Sequence, residues 1–170
     1  MSAFLKTYPL TASQFVEWGT HPTIEPRIRG IIEHYAHHQA VITYQVHTVP
    51  QPSNDESWLS NENMPTILRM ANIVKSEENI EYIYRDLRLY GRIDQLYQYS
   101  GNFILVDTKS HKEPTFSDQL QLSFYAFILA NIGFKVAPVA FIRSVYNSVD
   151  YEQLDLIPPE VMREIIDEVE

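Results

Sequence analysis

The chain contains no cysteine. That absence removes disulfides, thiolate zinc sites, cysteine-ligated iron–sulfur clusters and a cysteine nucleophile. Long apolar runs are also missing: none approaches the ~18 residues of a bilayer-spanning helix. The opening MSAFLKTYPL lacks the basic start, long apolar stretch and small-residue exit of a secretory signal. A cytoplasmic protein with no membrane association is therefore expected. Glycine is scarce, at 5 against 10 prolines in 170 residues, so collagen-like and low-complexity readings fail. Basic residues are outnumbered, 13 against 22 acidic, for a net charge of −9. The deficit is local. Asp150–Glu170 holds eight acidic residues and one basic, Arg163, while the rest of the chain is close to neutral. Net charge therefore does not point to a nucleic-acid partner, and a basic groove in a neutral body does not exclude one.

What is present is enough apolar sequence, 45%, to bury the core of one domain. Thr11-x-x-Gln14 has capping-box form and predicts a helix ended by Gly19-Thr-His-Pro22. Pro26 suits a helix's first position and predicts a second helix to about Gln39. Val41–Val49 alternates β-branched residues and reads as a strand, and Gln51–Asn63 as a polar loop. Met64–Lys75 reads as a short helix and Ile80–Tyr90 as a half-exposed strand. Arg92–Tyr99 and Phe103–Lys109 read as two strands around a Ser100-Gly101-Asn102 turn. Thr115-x-x-Asp118 opens a helix that Gly133 ends. Val136–Val145 and Tyr151–Ile157 read as strands. Pro158-Pro159 starts an acidic helix over about 158–170. The expected fold is a single α/β domain over 1–170, with a mixed central sheet flanked by helices.

Two acids stand where apolar residues belong: Asp94 in GRIDQL and Asp107 in ILVDTKS. An aspartate inside a buried strand costs several kcal/mol unless it is paired or binds a metal. A two-residue turn at 100–101 or 101–102 makes opposed residues sum to 201 or 203. Either register puts Asp94 on the same sheet face as Asp107 and Lys109. Two carboxylates beside an ammonium suit a hard divalent cation such as Mg²⁺, and equally a structural salt bridge. On the helices, Gly30 and His34 lie one turn apart on one face, as do Gln121 and Tyr125. Gly30 would allow close approach to the sheet, and His34 could add a nitrogen ligand. Taken alone, these pairs read as packed or solvated helix surface. His37 and His38 read as ordinary helix residues.

In order, the chain carries Gly30-IIE-His34, Gly91-Arg-Ile-Asp94, Asp107-Thr-Lys109 and Gln121-LSF-Tyr125, behind an opening Leu10-Thr-Ala-Ser13. This succession resembles the PD-(D/E)XK nuclease superfamily, in particular its RecB-like branch, over roughly residues 10–145. The resemblance implies a restriction-endonuclease-like fold and a Mg²⁺- or Mn²⁺-dependent phosphodiesterase. By that resemblance Asp94 and Asp107 would hold the metal, with the Thr108 carbonyl and His34. Lys109 would orient or deprotonate the attacking water, and Gln121 and Tyr125 would support Lys109 and contact the substrate backbone. The four-cysteine iron–sulfur cluster of some RecB-like nucleases is excluded here.

The expected substrate is nucleic acid, with DNA cleaved from an end. Arg92, with Lys112, Arg85 and Arg88, is a candidate phosphate contact. Tyr90, Tyr97 and Tyr125 are candidates for stacking on bases. Three other readings stay open. One is a silent nuclease fold that binds nucleic acid or protein. The second is a protein that docks a partner through its acidic C-terminal helix, and the third a metal-dependent hydrolase of another substrate. That helix is expected to be dispensable for chemistry, its removal leaving folding roughly intact.

Overall fold

The computed structural model describes residues 8–39, 64–146 and 148–169, with the side chains of 36–39 left aside. The strand expected at Val41–Val49 and the loop expected at Gln51–Asn63 lie outside the described residues. The elements are β1 (Tyr8–Thr11), α1 (Ala12–Gly19), α2 (Glu25–Gln39), α3 (Thr66–Arg69), β2 (Asn72–Tyr84), β3 (Leu87–Tyr99), β4 (Asn102–Lys109), α4 (Phe116–Asn131), β5 (Val139–Ser144), β6 (Asp150–Asp155) and α5 (Pro159–Ile166).

Both capping boxes form as written in the sequence. Thr11 and Gln14 bond reciprocally across the start of α1, and Thr115 and Asp118 across the start of α4. Two expectations change. The helix at Met64–Lys75 shrinks to the single turn Thr66–Arg69, because Asn72–Lys75 is drawn into β2, which pairs along β3. The strand at Ile80–Tyr90 is interrupted by a reversal at Arg85-Asp86 that joins β2 to β3. Arg85 takes a positive φ of 57° there, a conformation its residue type does not advertise.

The sheet is mixed and six-stranded, in the order β1-β3-β4-β5-β6, with β2 also on β3. β2 pairs antiparallel along nearly all of β3 and so occupies one of its edges. The other edge is shared. β1 pairs parallel with Leu87–Tyr90, and β4 pairs antiparallel with Gln95–Tyr99. Between them, Gly91, Arg92, Ile93 and Asp94 have no strand partner on that edge among the described residues. The sheet forks at this point.

One face of the sheet packs on α4, which is apolar along most of its length: Leu120, Leu122, Phe124, Phe127, Ile128 and Leu129 are all buried. α1 and α5 close over α4, so α4 runs through the core as its central helix. The other face carries a smaller cluster of Tyr97, Ile104, Val106 and Phe141 under Ile67 and Leu68. The acidic tail belongs to the main core. Val161, Met162, Ile165 and Ile166 of α5 are at most 2% exposed, so this helix is not the dispensable appendage that its charge suggests. Its acids turn back onto the body. Tyr35 donates to Glu160, Tyr84 donates to Asp167, and Arg27 pairs with Glu168. No helix among the described residues is long and apolar enough to cross a membrane.

Candidate active site

The site is built at the fork. Ser100 and Gly101 both have positive φ, 49° and 80°, so the β3–β4 turn is a two-residue reversal. Its register pairs Tyr99 with Asn102 and Gln95 with Val106, a constant sum of 201. The ladder stops there. One further step of the same register sets Asp94 across from Asp107. At that step the Asp94 carboxylate takes over the β4 backbone: Thr108 N–H donates to Asp94 Oδ2 at 2.8 Å. Asp94, Asp107 and Lys109 share the face that α4 covers.

Asp107 is only 5% exposed, and burial pushes its carboxyl up to about 6. The Lys109 ammonium, 2.9 Å from Oδ2, pulls the other way, and the Asp94 charge adds to the rise. Lys109 lies off the line of a good hydrogen bond, so Oδ2 is buried with no hydrogen-bond partner. Lys109 instead donates to Gln121 Oε1 at 2.7 Å, and Gln121 Nε2 donates to the Tyr125 hydroxyl oxygen at 3.0 Å. Burial raises the Tyr125 phenol. Hydrogen bonding from Gln121 opposes this, the charges of Asp107 and Asp94 reinforce it, and the Arg92 backbone opposes it. One polar chain therefore runs from the unpaired β3 segment through Tyr125, Gln121 and Lys109 to Asp107.

Gly91 makes this chain possible. A Cβ there would lie 2.5 and 2.6 Å from two Tyr125 ring carbons. The ring rests on the β3 backbone where a side chain would stand. Sequence reading recognised Gly91 as part of a motif without this reason. An open cleft of about 580 Å³ adjoins the fork, lined by Thr11, Ser13, Ile80, Tyr90, Gly91, Arg92 and Tyr125 among others.

Not every expected residue converges. His34 is exposed on α2 and lines a separate cavity with Arg27, Gly30, Tyr35, Glu164 and Glu168. α2 packs against α5, and the space around Gly30 is open rather than filled by the sheet. His34 is thus not brought to the carboxylates, and no group of three His, Asp or Glu converges among the described residues. Arg92 is exposed and reaches Asn79 at 3.4 Å and Glu77 at 3.9 Å. Arg85 lies nine residues from Asp94, about 30 Å along an extended strand, and meets Asp167 at the C-terminal end of α5. Arg88 sits 3.7 Å from Glu81. Lys112 is exposed in the loop after β4. Tyr90 lines the cleft. Tyr97 is buried on the opposite face of the sheet and cannot meet a base there. Asp118, read from sequence only as a cap, also accepts a 2.7 Å hydrogen bond from His111.

The acceptor set fits a hard cation. Two carboxylates face each other, and one carries a buried oxygen without a hydrogen bond. Mg²⁺ commonly takes one or two carboxylates, keeps several waters and uses substrate oxygens for the rest.

A family model described as the PD-(D/E)XK nuclease superfamily matches residues 28–169, which extends past the motifs and through α5. No curated protein matches the sequence. Among solved structures, the chain is similar to a protein designated SSO0001, at 10% identity and a TM-score of 0.41, over 95% of this chain and 76% of that one. It is also similar to a protein from Eubacterium rectale bearing the name "putative exonuclease". That match has 13% identity and a TM-score of 0.37, over 95% of this chain and 70% of the other.

Proposed function

Because the chain belongs to the PD-(D/E)XK nuclease superfamily, we propose that it is a Mg²⁺- or Mn²⁺-dependent nuclease that hydrolyses DNA phosphodiester bonds from a strand end. The observation that carries this reading is the contact of Asp107 with Lys109, beside Asp94, at an unpaired gap in the sheet. A salt bridge kept only for stability has no need of a second carboxylate or of a buried oxygen without a hydrogen bond.

In this proposal Asp94, Asp107 and the Thr108 carbonyl hold the cation. When bound, such a cation lowers the pKa of a coordinated water and offsets charge on the phosphate. The protein's part is positioning. The Lys109 ammonium has three donors. Gln121 fixes one, and the remainder can hold the attacking water or a phosphate oxygen. Gln121 is fixed in turn by Tyr125, whose ring is seated on Gly91. Arg92 and Tyr90, at the cleft, contact the substrate backbone and an unpaired base. A preference for an end or a single strand is part of this reading. A cytoplasmic location belongs to the same proposal.

The test is incubation with end-labelled single- and double-stranded DNA, with Mn²⁺ and with chelator. Metal-dependent shortening from an end supports the reading. Sequence-specific cutting of closed circular duplex with no activity on ends overturns the end preference. Absence of metal-dependent cleavage on every substrate overturns the nuclease.

A further inference from the structure

α4 is apolar almost throughout, yet it carries one polar stripe. Asp118, Gln121 and Tyr125 are spaced i, i+3 and i+7, so they lie on one face. Each meets one group of the β3–β4 hairpin or its extension. Tyr125 meets Gly91, and Gln121 meets Lys109. Asp118 meets His111, at 2.7 Å from Nε2. The first two belong to the catalytic arrangement already described. The third has no part in it.

The pair is well fixed. The Asp118 side chain is 4% exposed and also accepts from Thr115 N–H at 2.8 Å. The His111 carbonyl accepts from the buried Ser144 hydroxyl at 2.7 Å. Ser144 in turn lies opposite Lys109 in the β4–β5 register. The His111 backbone is thus pinned two residues past Lys109, and its ring is pinned through one nitrogen. The ring itself is 43% exposed. With Nε2 turned to Asp118, Nδ1 is the nitrogen left for a ligand. The α4 partners of His111 and Lys109, Asp118 and Gln121, are three residues apart, with Cβ atoms about 5–6 Å from each other on one helix face. His111 therefore stands beside the Lys109 ammonium without overlapping it.

We propose that His111, oriented by Asp118, is a substrate-positioning residue that contacts a DNA phosphate neighbouring the one held at Lys109. This rests on the nuclease reading of the adjoining site. A phosphate oxygen arriving at Nδ1 requires an N–H there. The contact is therefore made by the imidazolium, with Asp118 and the phosphate as its two acceptors. A histidine that only tied the loop to α4 would contribute nothing to the electrostatics of binding.

The experiment is single-stranded oligonucleotide binding by fluorescence anisotropy, with Ca²⁺ present. It is run at a fixed, mildly acidic pH across a salt series. Each phosphate contact contributes about 0.7 to the slope of log K against log salt for single strands. His111→Ala should lower the slope by about that amount and weaken binding roughly five- to tenfold at low salt. His111→Arg should restore the slope. Asp118→Asn keeps a capping oxygen but not the carboxylate, and should weaken binding less than His111→Ala. Thermal melting controls for folding. An unchanged slope in folded His111→Ala overturns the proposal, as does wild-type protein that binds no oligonucleotide. Asp107→Ala serves as the separating control. If it cleaves normally, the nuclease site is misassigned, whatever the His111 slope shows.

Discussion

Replacing Asp107 by asparagine should stabilise the metal-free protein, and only at the higher end of the pH range. Asp107 carries a folded-state pKa of about 6, raised chiefly by burial, against 3.8 for a free carboxyl. Below about pH 3 the group is largely neutral in both folded and unfolded chains and costs almost nothing. As pH rises, the unfolded chain ionises first and the folded protein resists. Stability is lost progressively up to about pH 6 and is constant above it. At 1.36 kcal/mol per unit, the full cost is about 3 kcal/mol. Asparagine keeps the shape and removes the charge. The variant should therefore melt above wild type by roughly 6–12 °C at pH 7.5, from about 2–4 °C per kcal/mol for a chain of this size. At pH 3 the two should melt together. Mn²⁺ at about 1,000 times its Kd should reverse the order, because it adds about 4.1 kcal/mol to the form that binds it, more than the cost of the buried charge. Scanning calorimetry across pH, with and without Mn²⁺, makes the measurement. Equal melting temperatures at pH 7.5 without metal would refute the argument that Asp107 is a destabilising buried charge.

Four further expectations follow from packing. Gly91→Ala sets a Cβ against the Tyr125 ring and should cost about 1–3 kcal/mol of stability with a large loss of cleavage. Gly30→Ala has nothing within 4 Å and should gain about 0.5–1 kcal/mol, read by thermal melting. Deleting residues 159–170 exposes the partners of Val161, Met162, Ile165 and Ile166, at about 1.5–3 kcal/mol per side chain, and should abolish cooperative unfolding by circular dichroism. His34→Ala should leave Mn²⁺ affinity unchanged by calorimetric titration, since His34 faces the α2–α5 cavity.

Local chemistry was readable and distant pairing was not. Both capping boxes depend on residues three apart, and Ser100-Gly101 marks its own turn. Asp94 and Asp107 betrayed themselves as charges in apolar strands, and a two-residue turn sufficed to place them on one face. β1 escaped notice because four residues give no period and its parallel partner begins at Leu87, far along the chain. The Arg85 reversal was read through because apolar alternation continues on both sides and no glycine or proline interrupts it. His34 was placed by motif alone, and only the packing of α2 on α5 decides where it points. The tail was judged by its charge, although Val161, Met162, Ile165 and Ile166 already have the spacing of a buried helical face.

The central claim is that Asp94, Asp107 and Lys109 act as one metal-dependent catalytic unit. The most direct measurement is the cleavage rate of end-labelled DNA in Mn²⁺ for Asp107→Ala, Lys109→Ala and the double variant, each shown to be folded. Residues that act as a unit lose activity non-additively. Asp107→Ala should abolish cleavage, the double variant should be scarcely worse, and Lys109→Ala should retain Mn²⁺ binding while losing turnover. Folded Asp107→Ala cleaving at the wild-type rate would contradict the account.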